Sequence, residues 1–316
     1  IVNRSRFSSE GGFGTSVCID DDHLEHVSHM PQVEEIYLGQ TDVTDDGLIV
    51  LQDLPRLRLL VLPERTSASG YKHLSGLRNL EKLVLNGNLP SAVQQVPGQP
   101  LKSLTQGLEH LAELPKLREL HLLGYGPLSL TSEAMKQIGK VKNLEVLWLR
   151  YLPSREFLSE VPGLKQLHIL SEYTLSNEII SEIGEMKNLE AVSMGRSPGT
   201  ALGTRGHIEP GSLLCLNGLP RLKELSLLAI IYDDLEQLKR LVSVEELTLD
   251  YPKIRDADLV HLKGLTNLTG LRLQGGNFYI NIAESIRAGI TDASLLHLKG
   301  ITSLEMLSLR GETFTD

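Results

Sequence analysis

The stretch IRDADLVHLKGLTNLTGLRL, residues 254–273, holds two different periods. Its last nine residues, LTNLTGLRL, read LxxLxxLxL, and the closing LxL alternates as a short strand does, with both leucines on one face. The part before it, IRDADLVHLKGL, spaces its apolar residues as a short helix with one buried stripe does. Both halves return along the chain. The strand half recurs at 54–62, 77–85, 114–122, 141–149, 186–194, 219–227, 241–249 and 301–309, with weaker copies at 30–38 (MPQVEEIYL) and 161–169 (VPGLKQLHI), eleven in all. The helical half recurs as VTDDGLIVLQDL (43–54), ITDASLLHLKGI (290–301) and the eroded IDDDHLEHVSHM (19–30).

A fixed period settles the architecture before any local motif does. The unit is about 24 residues, and three copies are lengthened by roughly 9 to 13. No single unit can bury its own leucines. Stacked, the strands form a parallel sheet with the helices behind it and a leucine-filled interior between the layers. Thr or Asp before each helical half is expected to accept its free N–H groups. Gly76, Gly218, Gly264 and Gly300 are expected to turn the chain out of it.

These motifs resemble the leucine-rich repeat family, in particular the 24-residue ITDxGLxxLxxLxxLxxLxL kind found in F-box-type repeat proteins and tandem bacterial arrays. The resemblance covers nearly the whole chain from about residue 19. It implies an α/β solenoid, a curved horseshoe of about eleven repeats with the parallel sheet on the concave face and short helices on the convex face. Residues 1–18 read as an N-terminal flanking segment and 19–316 as the array. Phe314, Thr315 and Asp316 match Val43, Thr44 and Asp45, so the array is expected to be truncated inside a further repeat. One family feature is missing. The position three residues after LxL, normally Asn, Cys or Thr, is Thr41 in the first repeat but Arg65, Tyr125, Leu152, Pro252 and Glu312 elsewhere.

Composition narrows the function. Lys and Arg total 31 against 40 Asp and Glu, with no basic stripe to neutralise phosphates, so nucleic acid is not an expected partner. The longest apolar run, LSLLAIIY at 225–232, falls short of the roughly 18 residues that cross a bilayer, and no membrane insertion is expected. The chain starts at Ile1 with no signal-type pattern, as a processed or excised piece would, and nothing assigns a compartment. Cys18 and Cys215 sit seven repeats apart in a stacked array, too far for the roughly 7 Å that a disulfide spans between Cα atoms.

Local chemistry is sparse. His23, His26 and His29 in HLEHVSH have metal-compatible spacing, but His26 shares a repeat column with His73, His110, His261 and His297, which makes it a scaffold position. No nucleophile elbow, HExxH, P-loop or Rossmann fingerprint occurs, so no enzymatic activity, cofactor or metal is expected. Asn3 and Asn267 head NRS and NLT, glycosylation triplets that chance also supplies.

The informative residues are those the leucines push outward. If Leu147 and Leu149 face the core, Val146, Trp148 and Arg150 face the other way. Tyr37, Val61, Val84, His121 and His168 share the Trp148 column, which turns small and polar at Ser193, Ser226, Thr248 and Ser308 apart from Arg272. Exposed Trp and Arg are enriched at binding hot spots. The site is therefore expected at Tyr37, His121, Trp148, Arg150, His168 and Arg272, beside the insertions at 88–101, 196–206 and 276–288. The reading is a non-catalytic module that recognises a protein or peptide through its concave face and insertion edge. Two alternatives stand beside it: a structural or spacer array in a larger envelope or multidomain protein, and a substrate-recruiting adaptor of an F-box-like ligase.

Overall fold

The computed structural model describes residues 19–64, 66–86, 107–123, 132–150, 158–171, 175–196, 211–228, 235–250, 254, 256–274 and 292–310. The chain divides into two compact units, Ile1–Trp148 and Leu149–Asp316. In the first, β1 (Glu35–Tyr37), β2 (Leu59–Val61), β3 (Lys82–Leu85) and β4 (Glu119–Leu122) pair in chain order, each parallel to the last. The division falls within β5 (Val146–Leu149). In the second, β6 (Gln166–Ser171), β7 (Ala191–Arg196), β8 (Glu224–Leu228), β9 (Glu246–Asp250), β10 (Gly270–Gln274) and β11 (Met306–Arg310) pair the same way. Each of the eleven strands is the LxL end of one sequence copy.

Register is fixed where the chain enters each strand. The Arg58 and Leu59 N–H groups both donate to Glu34 O, those of Glu81 and Lys82 to Arg58 O, and those of Arg118 and Glu119 to Glu81 O. Leu60, Leu83 and Leu120 are thereby aligned and fully buried, as are Leu225, Leu247 and Leu271 in the second unit. A slip of one residue would turn every such leucine to solvent.

Most helical halves are 3-10 rather than α, among them Gly47–Asp53, Leu108–Glu113, Ser212–Gly218 and Asp256–Gly264. Within them Leu48 and Leu51, and Leu259 and Leu262, stand three residues apart and are buried, so a winding of three residues per turn sets each pair on one line. Leu54 and Leu57, and Leu265 and Leu268, continue the buried every-third-residue spacing past the helix ends, Leu54 with extended backbone. Ser132–Gly139 and Asn177–Glu185 are α-helical, and there adjacent apolar pairs, Ala134 with Met135 and Ile179 with Ile180, widen the stripe to suit 3.6 residues per turn.

Side chains tie each repeat to the next. Asn79, Asn143 and Asn188 donate from Nδ2 to the carbonyls of Pro55, Pro115 and Pro162 in the preceding repeats, at 2.6, 2.7 and 3.1 Å. Lys116 Nζ and Arg221 Nη1 in turn donate to the Oδ1 atoms of Asn79 and Asn188, at 2.6 and 3.5 Å. This ladder runs through the third residue of LxNL. At the turn after the first strand, Thr41 Oγ1 donates to Leu38 O within its own repeat, while Arg65, Tyr125, Leu152, Pro252 and Glu312 lie outside the described residues.

The acids at the helix starts also reach onward. Asp20 and Ser67 cap their own helices, but Asp21 accepts from Thr44 N and Oγ1, and Asp45 accepts from Ser67 N and Oγ. Gly47 and Gly70 leave room for those carboxylates, since a Cβ would stand 2.0 and 2.4 Å from Asp21 Oδ1 and Asp45 Oδ1. The glycines expected to turn the chain also serve close packing. Among the described glycines, positive φ occurs at Gly107 and Gly211, not at Gly76, Gly218, Gly264 or Gly300. A Cβ on Gly264 would meet Lys239 O at 2.7 Å.

Charge alternates at the strand entries. Glu34, Arg58, Glu81, Arg118 and Glu145 follow one another in the first unit, and Lys165, Glu190, Lys223 and Glu245 in the second. Arg58 pairs with Glu81 at 2.8 Å and Lys223 with Glu245 at 2.9 Å. These exposed pairs contribute little stability each, but opposite signs avoid repulsion between strands about 4.8 Å apart.

Burial weakens in the last described repeat. Leu295 is exposed, and Leu307 is 40% exposed where its register partner Leu271 is 0% exposed. Leu271→Ala is expected to cost about 2–5 kcal/mol as a core cavity, and Leu307→Ala clearly less. Removing one ladder rung with Asn79→Ala is expected to cost about 0.5–1.5 kcal/mol. Urea unfolding midpoints of the three variants check this order.

Candidate functional site

On the strand face of the first unit, the register sets Tyr37 beside Val61, Val61 beside Val84 and Val84 beside His121. Tyr37 is 41% exposed, and its hydroxyl donates to Glu35 Oε2 at 2.9 Å, which raises its pKa. Depth grows along the row. Val84 is buried, and His121 is only 8% exposed. The imidazole is outward of the leucines, as alternation predicts, but it is not open to solvent as an outward residue was expected to be.

Its neighbours account for that. His121 stacks on Trp148 with ring centroids 5.1 Å apart and planes inclined by 28°. Its Nε2 lies 2.6 Å from Glu119 Oε1, which also accepts from Lys82 Nζ at 2.8 Å. Burial lowers the His121 pKa, Lys82 adds to the effect, and the hydrogen bond to Glu119 opposes it without prevailing. Burial alone would raise Glu119, but the hydrogen bonds from Lys82 and His121 outweigh it and hold the carboxyl below its ordinary range. An ionised carboxylate can only accept, so neutral His121 carries its proton on Nε2. Trp148 itself is half-buried.

The other expected site residues lie in the second unit. Arg150 and His168 are half-buried, and His168 stands in register with Ser193 of β7. Arg272 stands between Thr248 and Ser308 and donates to Glu246 Oε2 at 3.0 Å. Gly270 makes that pair possible, because a Cβ there would stand 2.7 Å from the Glu246 carboxylate. Cys18, the insertions at 88–101 and 276–288, the one at 196–206 beyond Arg196, and Phe314, Thr315 and Asp316 lie outside the described residues.

No protein-family profile matches the sequence, and no curated protein matches it. Solved structures do. An internalin (InlF) from Listeria monocytogenes matches over 92% of this chain and 72% of its own, with a TM-score of 0.53 at 19% identity. A leucine-rich repeat protein from Leptospira interrogans matches over 90% and 79%, with a TM-score of 0.36 at 17% identity. The plant peptide hormone receptor RGFR1, solved in complex with RGF2, matches over 88% of this chain and 48% of its own, with a TM-score of 0.39 at 14% identity. This chain thus spans about half of that receptor. Of these three the internalin score exceeds 0.5, and it joins the eleven repeated strands in deciding the architecture. The fold is the leucine-rich repeat.

Within this leucine-rich repeat scaffold the histidine column is structural. His26, His73, His110, His261 and His297 each precede a buried Val27, Leu74, Leu111, Leu262 or Leu298. His23 Nδ1 lies 2.5 Å from Asp20 Oδ1. Among the described residues no three His, Cys, Asp or Glu side chains converge as a metal site needs, and no helix is long and apolar enough to cross a membrane. Cys215 is a free, partly exposed thiol.

Sequence reasoning missed Lys82 and Glu119. They occupy the strand position two residues before the Trp148 column, where alternation already puts them on the same face. Both the lowered His121 pKa and the lowered Glu119 pKa predict the same pH response. The unfolded state takes up protons first, so this part of stability is complete above about pH 6.5 and falls as pH drops through the His121 and then the Glu119 range. Urea midpoints at neutral and mildly acid pH are expected to fall less steeply for His121→Gln than for the wild type.

Proposed function

We propose that this chain is a non-catalytic recognition module that binds a protein or peptide partner through the outward residues of its strands. The observation that carries this reading is the stacked His121–Trp148 pair, a half-buried aromatic platform at the end of the row Tyr37, Val61, Val84. Tryptophan on a partly desolvated surface contributes to binding out of proportion to its area. The platform is nearly neutral, since Lys82 and Glu119 compensate each other, which suits an apolar or aromatic anchor from the partner. In the second unit, taken by itself, Arg150, His168 and Arg272 are the proposed contact residues. A spacer role would leave this row without a use.

A core role for Trp148 and a recognition role separate in one pair of measurements. Trp148→Ala is expected to cost about 0.5–1.5 kcal/mol of stability through loss of the aromatic pair. It is expected to weaken capture of a partner from native lysate by about tenfold or more, as a hot spot does. Val260→Ala, 40% exposed on the helical side, serves as the control and is expected to capture as the wild type does. Equal capture by all three proteins would sink the assignment of the face.

A further inference from the structure

The strand face of the first unit holds one titratable ring whose two states cannot occupy the same place equally well. Neutral His121 is satisfied where it stands: Nε2–H donates to Glu119 Oε1, and the ring plane lies on the indole of Trp148. Protonation adds a charge and a second N–H donor to a ring that is 8% exposed. It also puts two cations on one oxygen, because Lys82 Nζ is already 2.8 Å from the same Glu119 Oε1. Among the described residues, the charged groups facing the ring are Lys82 on β3 and Glu119 on its own strand, while on β5 Trp148 is uncharged and the next charged residue of the chain is Arg150. One carboxylate cannot neutralise both cations, and a partly buried net charge is costly. The ring's way out lies on the strand face, since its side chain leaves the sheet on the side opposite the buried leucines.

We propose that His121 is a proton-operated cover for Trp148: the neutral ring lies on the indole, and the protonated ring swings into solvent and opens that face of the tryptophan. The direction of the His121 pKa agrees, because burial holds it below 6.5 and so keeps the cover closed at neutral pH. Mild acid then changes the recognition surface from a closed, neutral platform to an open indole beside an added positive charge. The inference rests on Trp148 belonging to that surface, but the switch is measurable in the free protein without a partner.

The single tryptophan reports it directly. Acrylamide quenching of Trp148 is expected to rise about twofold or more between about pH 7.5 and about pH 5, with a one-proton midpoint below the usual histidine value. His121→Phe, which keeps a stacked ring without a titrating group, is expected to give a flat profile, with far-UV circular dichroism confirming its fold. Two charge variants test the cluster in opposite senses. Lys82→Gln removes a neighbouring cation and moves the midpoint up toward neutral pH, and Glu119→Gln removes the anion and moves it down. A flat wild-type and Lys82→Gln profile, or the same response in His121→Phe, overturns the proposal. That outcome leaves the recognition reading standing, which fails separately if Trp148→Ala captures partner as the wild type does.

Discussion

Each repeat can hide its leucines only beneath the repeats beside it. A three- to six-residue strand and a turn or two of helix have no interior of their own, so the core exists only as an interface repeated down each unit. The described backbone follows this. At β2 to β5 and β7 to β11 two successive N–H groups at the strand entry donate to a single carbonyl of the repeat before, and several helical segments come close enough for their glycines to matter. Where a neighbour is lacking among the described residues, as beyond β11, the same leucine position that is sealed in β10 opens to solvent.

Much of this was legible in the sequence. LxL alternation gave the strands and their sidedness, and eleven copies gave the number of strands. The helical halves were legible as helices but not as 3-10, because two leucines three residues apart share a face in either winding. The lateral ladders were not legible. An asparagine in LxNL reads as an exposed polar filler until the proline carbonyl of the preceding repeat is seen opposite it. The same holds for Asp21 and Asp45, whose cap-like position hid their bonds to the following repeat.

The candidate site shows where alternation stops being informative. Period two says which side of the sheet a residue leaves from, and His121 and Trp148 leave from the expected side. It says nothing of depth. Depth comes from lateral neighbours, and the position beside His121 on its own strand and on β3 is filled by long, mutually paired side chains. A surface column read as exposed is therefore a graded one, open at Tyr37 and closed at His121, with the aromatic pair at its sheltered end. Such sheltering matters chemically, because an imidazole responds to its charge neighbours more strongly the less water it sees.

The alternating charge at the strand entries sets a grammar for how the array can change length. Arg58 stands between Glu34 and Glu81, and Asn79 spans from the Pro55 carbonyl to Lys116. Excising the one repeat that holds Asn79 and Glu81 would set Arg58 against Arg118 and leave the Pro55 carbonyl facing the repeat of Pro115, which brings no amide to meet it. Excising two repeats together would restore both the signs and the ladder. Over this stretch, then, the unit that can be copied or lost with both patterns kept is the pair of repeats, a rule the array leaves further on, where Asn267 bonds to Val242 O and Thr269 stands at a strand entry.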